Sequence, residues 1–86
     1  MSAHWVYLVR CSDGSYYAGY TTDVERRVAE HNDGVGAKYT RGRTPVELVH
    51  HERCDSRSAA LSREHELKSL SHAEKARLAA RPGGDG

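Results

Sequence analysis

Two tyrosines, an arginine and a glutamate carry the side chains that hydrolysis of a phosphodiester needs. Tyr7 and Tyr17 stand ten residues apart, and Arg27 and Glu64 follow them. A phenol near a metal ion can accept a proton from water, a guanidinium can clamp a phosphate, and a carboxylate can hold Mg²⁺. The set fits a reaction in which water is deprotonated and the charge on a pentacovalent phosphorus is neutralised.

The placement of the two tyrosines depends on the turn of a predicted β-hairpin. Residues 5–11 and 15–20 are rich in aromatic and β-branched types and flank Ser12-Asp13-Gly14. A two-residue turn would put the tyrosines on opposite faces of the sheet, because side chains alternate with a period of two. The length of the turn therefore decides whether they can share a site.

We predict a three-residue turn with Gly14 in the left-handed conformation, which pairs Cys11 with Ser15. Tyr7 then lies opposite Gly19, and the second tyrosine lies diagonally on the same face. Because glycine has no side chain, this register should leave open space beside the first phenol.

An arginine should point inward from the first predicted helix. A capping box over Thr22–Glu25 begins this helix, which should run to about residue 31. At 100° per residue, Arg27 and His31 share the edge of the apolar positions, whereas Arg26 and Glu30 project to the other side. An inward guanidinium needs a phosphate or carboxylate partner, because burying it unpaired costs several kcal/mol. A structural pair with a core acid remains an open alternative.

A glutamate interrupts the apolar face of the next predicted helix, which covers residues 57–70 after an Asp55-Ser56 cap. Glu64 falls between the apolar positions of this face, which are Ala60, Leu61 and Leu67. A carboxylate in such a stripe is expected to be a metal ligand, a general base or half of a buried ion pair.

The remaining segments complete a small α+β domain. Residues 33–44 should form a loop with one short helical turn, and residues 46–51 a third strand after Pro45. A second capping box, Ser71-His72-Ala73-Glu74, predicts a short last helix. We therefore expect one domain over residues 1–80, followed by a flexible tail over residues 81–86.

Candidates for contacts with nucleic acid lie in the predicted loop. The net charge of +1 is not that of a tight non-specific binder. However, Lys38, Arg41 and Arg43 lie within six residues without an acidic neighbour, and Tyr39 lies among them. These residues are suited to phosphate contacts, with a solvated loop as the alternative. Trp5 is either an anchor of the fold or a stacking platform for an unpaired base.

Composition and chain start exclude other classes of protein. The 86 residues leave room for little more than one domain, and no apolar run approaches the roughly 18 residues of a membrane helix. The first four residues do not form a signal peptide, so we expect a cytoplasmic protein with free thiols at Cys11 and Cys54. His50 and His51 should point to opposite faces of their strand, so they cannot both bind one metal ion.

The ordered motifs resemble those of the GIY-YIG nucleases. Trp5-Val6-Tyr7 stands at the first motif of that family and Tyr17-Ala18-Gly19 at the second. Arg27, His31-Asn32 and Glu64-His65-Glu66-Leu67-Lys68 follow in order, so that the resemblance covers residues 5 to about 78. The loop over residues 36–42 is similar to that of small stand-alone bacterial members.

The resemblance implies a three-stranded antiparallel sheet flanked by helices, in the order β-β-α-β-α-α, and a role for each site residue. Tyr7 would be the general base, Tyr17 would orient water or phosphate, and Arg27 would stabilise the phosphate. Glu64 would bind one Mg²⁺ or Mn²⁺ ion, and His31 would support the site. The family would cut nucleic acid, here DNA in preference to RNA, leaving 5′-phosphate and 3′-hydroxyl ends.

Two departures from the family pattern and two other functions bear on this expectation. Trp5 and Val6 replace the Gly and Ile of the first motif, and the Asn that many members carry after the metal-binding Glu is missing. The chain could instead be a non-catalytic nucleic-acid-binding module or accessory subunit. It could also be a structural domain in which Arg27 and Glu64 form a buried ion pair. A separate protein partner could supply sequence specificity.

Overall fold

The computed structural model describes residues 3–80, which form an antiparallel three-stranded sheet and three α-helices. The expected α+β class and order of elements are confirmed. The elements are β1 (His4–Arg10), β2 (Tyr16–Thr21), α1 (Val24–Asn32), a 3₁₀ turn (Lys38–Thr40), β3 (Glu47–Cys54), α2 (Arg57–Ser69) and α3 (His72–Ala80). Strand β1 lies between β2 and β3. No helix in this part of the chain is long and apolar enough to cross a membrane. The tail predicted over residues 81–86 lies outside the described residues.

The hairpin between β1 and β2 has the predicted three-residue turn. The Cys11 amide donates a hydrogen bond of 2.8 Å to the Ser15 carbonyl, and Gly14 has a φ of 85°. Tyr7 lies opposite Gly19. The prediction of open space beside Gly19 is wrong, because the ring of Tyr7 itself fills that space. A Cβ on Gly19 would collide with the phenol.

The two faces of the sheet carry separate cores. One face packs against α2 and α3 and buries Val6, Leu8, Ala18, Ala60 and Leu67. The other face lies towards α1 and the 33–46 segment, and it buries Tyr7, Val9, Cys11 and Val46. His50 and His51 are paired with Leu8 and Tyr7, so they lie on opposite faces as predicted. The phenol of Tyr7 therefore belongs to the face that α1 covers.

The ends of the helices differ from the expectation at one point. Asp23, rather than Thr22, caps α1, because its carboxylate accepts a 3.1 Å hydrogen bond from the Arg26 amide. Ser56 caps α2, and the reciprocal capping box before α3 is confirmed by bonds of 2.8 and 3.1 Å between Ser71 and Glu74. These caps satisfy amides that a helix start would otherwise leave without partners.

Strand β3 continues three residues beyond the predicted end, to Cys54. The extension is explained by Glu52, which pairs with Val6 in the sheet and accepts hydrogen bonds of 2.8 and 3.0 Å from the Arg63 guanidinium. This bidentate ion pair links β3 to α2 on the face opposite Tyr7. Cys11 and Cys54 are free thiols as expected, Cys11 buried and Cys54 partly buried.

Candidate active site

The centre of the candidate site is a buried contact between Tyr7 and His31. The phenol oxygen lies 2.8 Å from Nε2 of the imidazole, and both residues are almost fully buried. Strand β1 positions the tyrosine, and the last turn of α1 positions the histidine. Gly36 approaches His31 so closely that it has no room for a Cβ. The histidine proposed as a supporting residue therefore touches the proposed base directly.

Nδ1, on the far side of the imidazole, has two neighbours in the loop after α1. The Thr40 hydroxyl lies 2.7 Å from Nδ1 of His31, and the Ala37 amide lies 3.3 Å from the same atom. The Thr40 hydroxyl donates its single proton to the Ala37 carbonyl at 2.9 Å, so it can only accept from Nδ1, whereas the amide can only donate to it. The two contacts therefore belong to different tautomers of His31, and both hold the imidazole against Tyr7.

Burial makes the Tyr7 phenol hard to ionise in the absence of substrate. Desolvation raises its pKa to about 12, hydrogen bonding and charge from Arg27 oppose the rise, and Tyr17 and Glu64 add to it. Desolvation and the nearby Arg27 charge lower the pKa of His31, which favours its neutral form. The pKa of Tyr7 is therefore affected by Arg27, Tyr17 and Glu64, the other three residues selected from the sequence.

Arg27 lies at the edge of the site, with 31% of its side chain exposed. It donates a 3.0 Å hydrogen bond to Glu30, although the helical wheel placed Glu30 on the other side. That expectation was wrong because residues three apart on a helix are neighbours, and long side chains bend towards each other. Interaction with Tyr7 and then with Glu30 raises the pKa of Arg27 above its ordinary value. The guanidinium stays charged and reachable from solvent.

Glu64 lies on α2 and is 18% exposed, and its charge contributes to the raised pKa of Tyr7. Its carboxylate forms an ion pair of 3.1 Å with Lys68, and Arg27 pairs with Glu30 instead. The hypothesis of a structural pair between Arg27 and Glu64 is therefore wrong. Ala60 and Leu67 are fully buried as predicted, but Leu61 is 41% exposed and does not belong to the apolar face.

An aromatic stack joins Tyr17 to the 3₁₀ turn. Its ring centroid lies 5.5 Å from that of His31 and 5.7 Å from that of Tyr39. Lys68 lies 5.6 Å from the Tyr17 ring, and the Arg43 guanidinium lies 4.3 Å above Tyr39. The second tyrosine thus shares the face of Tyr7, and one cation lies near each ring of the stack.

The basic loop, which we define as Lys38 to Arg43, has a structural part and an exposed part. Arg43 donates a hydrogen bond of 3.0 Å to the Asp13 carboxylate and one of 2.7 Å to the Tyr39 carbonyl. The expectation that Arg43 lacks an acidic partner was therefore wrong. Asp13 was missed because it stands thirty residues earlier, at the hairpin turn. Lys38 and Arg41 are exposed beside the stack. These two remain the candidates for phosphate contacts.

The acidic residues permit only a sparse metal site. Within residues 3–80, no group of three or more His, Cys, Asp or Glu side chains could enclose an ion. Mg²⁺ often binds through one or two carboxylates together with substrate phosphate and water. The single carboxylate of Glu64 fits that mode if Lys68 moves aside.

Several residues of the site were not predicted from the sequence. Lys68 could have been found, because it stands one helical turn after Glu64. Thr40 and Gly36 could not, because their contacts with His31 arise only when an aperiodic loop closes over the end of α1. The sequence therefore identified candidate residues for the site but not the residues that hold His31 in place.

Comparison with known proteins gives consistent matches. A family model described as the GIY-YIG catalytic domain matches residues 3–77. A UPF0213 protein of Natronomonas pharaonis is 70% identical over 77 residues, which cover 90% of this chain and 91% of the relative. A UPF0213 protein of Staphylococcus saprophyticus is 50% identical over 78 residues, covering 91% and 95%.

Two solution NMR structures resemble the fold. That of a UPF0213 protein from Bacillus halodurans is 49% identical, has a TM-score of 0.59 and covers 95% of this chain and 87% of its own. That of a protein from E. faecalis is 44% identical, has a TM-score of 0.60 and covers 90% and 82%.

Proposed function

Because this chain belongs to the GIY-YIG catalytic-domain family and to the UPF0213 proteins, we propose that it is a metal-dependent endonuclease that hydrolyses phosphodiester bonds of DNA in preference to RNA. The observation that carries the proposal is the arrangement around Tyr7. A buried phenol is held by His31, flanked by Arg27 and within the electrostatic reach of Glu64. The proposal assigns to these residues the roles of base, phosphate clamp and metal-binding carboxylate.

Arg27 binds the phosphate in this proposal, and Tyr7 accepts the proton of the attacking water. The guanidinium is charged and partly exposed, so a phosphate can replace Glu30 as its partner. The Arg27 charge favours the phenolate against the desolvation that raises the Tyr7 pKa, and the phenolate is the form of Tyr7 that can take a proton. Tyr17 supports the phosphate from the same face.

Glu64 is the residue that would hold Mg²⁺ or Mn²⁺. Such an ion supplies Lewis-acid stabilisation of phosphate charge and makes bound water more acidic. Lys38, Tyr39 and Arg41 are the proposed contacts with the rest of the strand, because they are exposed beside Tyr17. A separate protein could add specificity.

A cleavage panel tests this function. Duplex, single-stranded and branched DNA and RNA are incubated with Mg²⁺ or Mn²⁺, each with an EDTA control. We expect metal-dependent cutting that Tyr7→Phe slows by about 10²-fold or more, since only the ionisable hydroxyl is lost. Tyr20→Phe is the matched control, because the Tyr20 hydroxyl bonds to His4 on the other face of the sheet. Equal rates for both variants would contradict the role of Tyr7.

A binding module without catalysis is the second candidate. Lys68 favours it, because its ammonium already neutralises Glu64. In that case the panel would give salt-sensitive binding but no cutting with either metal.

A further inference from the structure

A cavity of about 440 Å³ lies beside the candidate active site and has no part in the chemistry proposed above. It opens between the first turn of α1 and strands β1 and β3. Its lining residues are Trp5, Thr22, Asp23, Val24, Glu25, Leu48 and His51.

The walls of the cavity are aromatic and apolar on the side of the sheet. Trp5 and His51 contact each other edge to face, with ring centroids 5.4 Å apart. Both are only partly buried, as are Leu48 and Val24. Flat, accessible rings beside apolar side chains suit a planar aromatic ligand, which can stack on them.

The other rim of the cavity is acidic. Asp23 and Glu25 are exposed at the start of α1, and Asp23 uses one carboxylate oxygen to cap the helix. Two carboxylates repel a phosphate group but accept hydrogen bonds from amino groups. The charge of the rim therefore selects against a nucleic-acid backbone and in favour of a base with an exocyclic amino group.

The cavity adjoins the proposed phosphate site on two elements. Trp5 precedes Tyr7 by two residues on β1, a distance of about 7 Å along the strand on the same face. Val24 precedes Arg27 by three residues, about 4.5 Å along α1. His51 lies directly opposite Tyr7 in the sheet. A nucleotide next to the phosphate at Arg27 could thus place its base in the cavity.

We propose that this cavity binds the base of an unpaired nucleotide next to the phosphate to be cut, and prefers adenine, cytosine or guanine over thymine. The inference rests on the proposed nuclease function. It makes the substrate class more specific, because a base paired within a duplex cannot turn into the cavity.

The single tryptophan makes binding directly observable, because all tryptophan fluorescence of the chain comes from Trp5. The full chain is titrated in EDTA with short single-stranded oligo(dA), oligo(dC) and oligo(dT), and with an abasic phosphodiester chain of equal length. We expect quenching by the base-bearing strands only. Half-quenching should need about fivefold less oligo(dA) or oligo(dC) than oligo(dT), because amino groups pair with the rim.

Variants connect the cavity to turnover. Trp5→Ala should raise KM on single-stranded DNA about fivefold or more while kcat changes little, and Trp5→Phe should keep most of the affinity. His51→Ala retains Trp5 and should weaken quenching even if Trp5→Ala does not fold. His65 is an exposed histidine on α2, and His65→Ala is the control that we expect to behave as wild type.

The outcomes separate the two proposals. Metal-dependent cutting without base-dependent quenching, or equal quenching by the abasic chain, would overturn the base site and leave the nuclease intact. Base-dependent quenching without cutting by any metal would support the base site and contradict the nuclease. The absence of both quenching and cutting would overturn both proposals.

Discussion

Gly36 lies against His31 so closely that a Cβ at this glycine would stand 2.8 Å from the histidine Cα and closer still to its Nδ1. The loop after α1 can therefore reach the imidazole only where it has no side chain. This contact brings the Ala37 amide to 3.3 Å from Nδ1 of His31, whose Nε2 faces Tyr7.

Gly36→Ala should separate the loop from His31 and impair both stability and catalysis. The added methyl meets backbone as well as a ring, and overpacking of this kind costs about 1–3 kcal/mol. We expect a lower melting temperature and slower cutting, because the His31 imidazole, which contacts Tyr7, loses its support. Melting curves and cleavage rates at a permissive temperature check this. Wild-type values of both would mean that the loop tolerates the methyl group without disturbing the site.

The stability of the fold should fall as the pH is lowered through the range in which free histidine titrates. Burial and the Arg27 charge lower the pKa of His31, so the unfolded chain takes up a proton below its ordinary value of 6.5 while the folded chain does not. Stability from this group is thus fully present above that pH and is lost as the pH falls towards the folded pKa.

Thermal melts of wild type and His31→Gln between about pH 8 and pH 5 measure this effect. The wild-type melting temperature should decline across the range, and the variant, which has no titrating group at this position, should decline less. Glu52 does not confuse the result, because its pKa is lowered below 4.5 by Arg63. Parallel curves would mean that His31 titrates alike in both states.

Local sequence patterns predicted part of the site, whereas contacts between residues far apart in the chain could not be predicted. The shared face of Tyr7 and Tyr17 follows from a period of two and a three-residue turn, both of which are local. The ion pairs of Arg27 with Glu30 and of Glu64 with Lys68 were not predicted, because a helical wheel gives the direction of Cβ but not the end of a long side chain. Thr40 and Asp13 act across aperiodic loops, which leave no pattern in the sequence.

The exposed and structural cations of the basic loop should respond differently to salt. Each phosphate contact that a cation makes changes the slope of log affinity against log salt by roughly 0.7–0.9. Lys38→Ala and Arg41→Ala should each flatten the slope by about that amount. Arg43→Ala should change the slope less and instead lower stability by up to about 1 kcal/mol, because it loses Asp13 and the Tyr39 carbonyl.

Fluorescence anisotropy with labelled DNA over a range of salt, together with thermal melts, measures both effects. If Arg43→Ala flattened the slope most and melted normally, the ion pair with Asp13 would not hold Arg43 away from DNA.

The last prediction concerns the ion pair between Lys68 and Glu64, whose charged atoms are 3.1 Å apart. A divalent ion on Glu64 must displace the ammonium, so Lys68 competes with the metal for the same carboxylate. Lys68→Ala removes the competitor, and half-maximal cleavage should then need severalfold less Mg²⁺. Arg77→Ala, an exposed cation on α3, is the control for the loss of one positive charge.

The same titration separates competition from substrate binding. If Lys68 also contacts the DNA phosphate, Lys68→Ala raises KM for DNA while the Mg²⁺ requirement still falls. An increased Mg²⁺ requirement at saturating DNA would contradict competition, because the lysine would then help to hold the ion's ligands in place.

Glu64→Ala should abolish cutting at every Mg²⁺ concentration, because the proposed metal ligand is lost. Salt-dependent DNA binding through Arg27, Lys38 and Arg41 should remain. Cutting that persisted in this variant would contradict the assignment of Glu64 as the metal ligand.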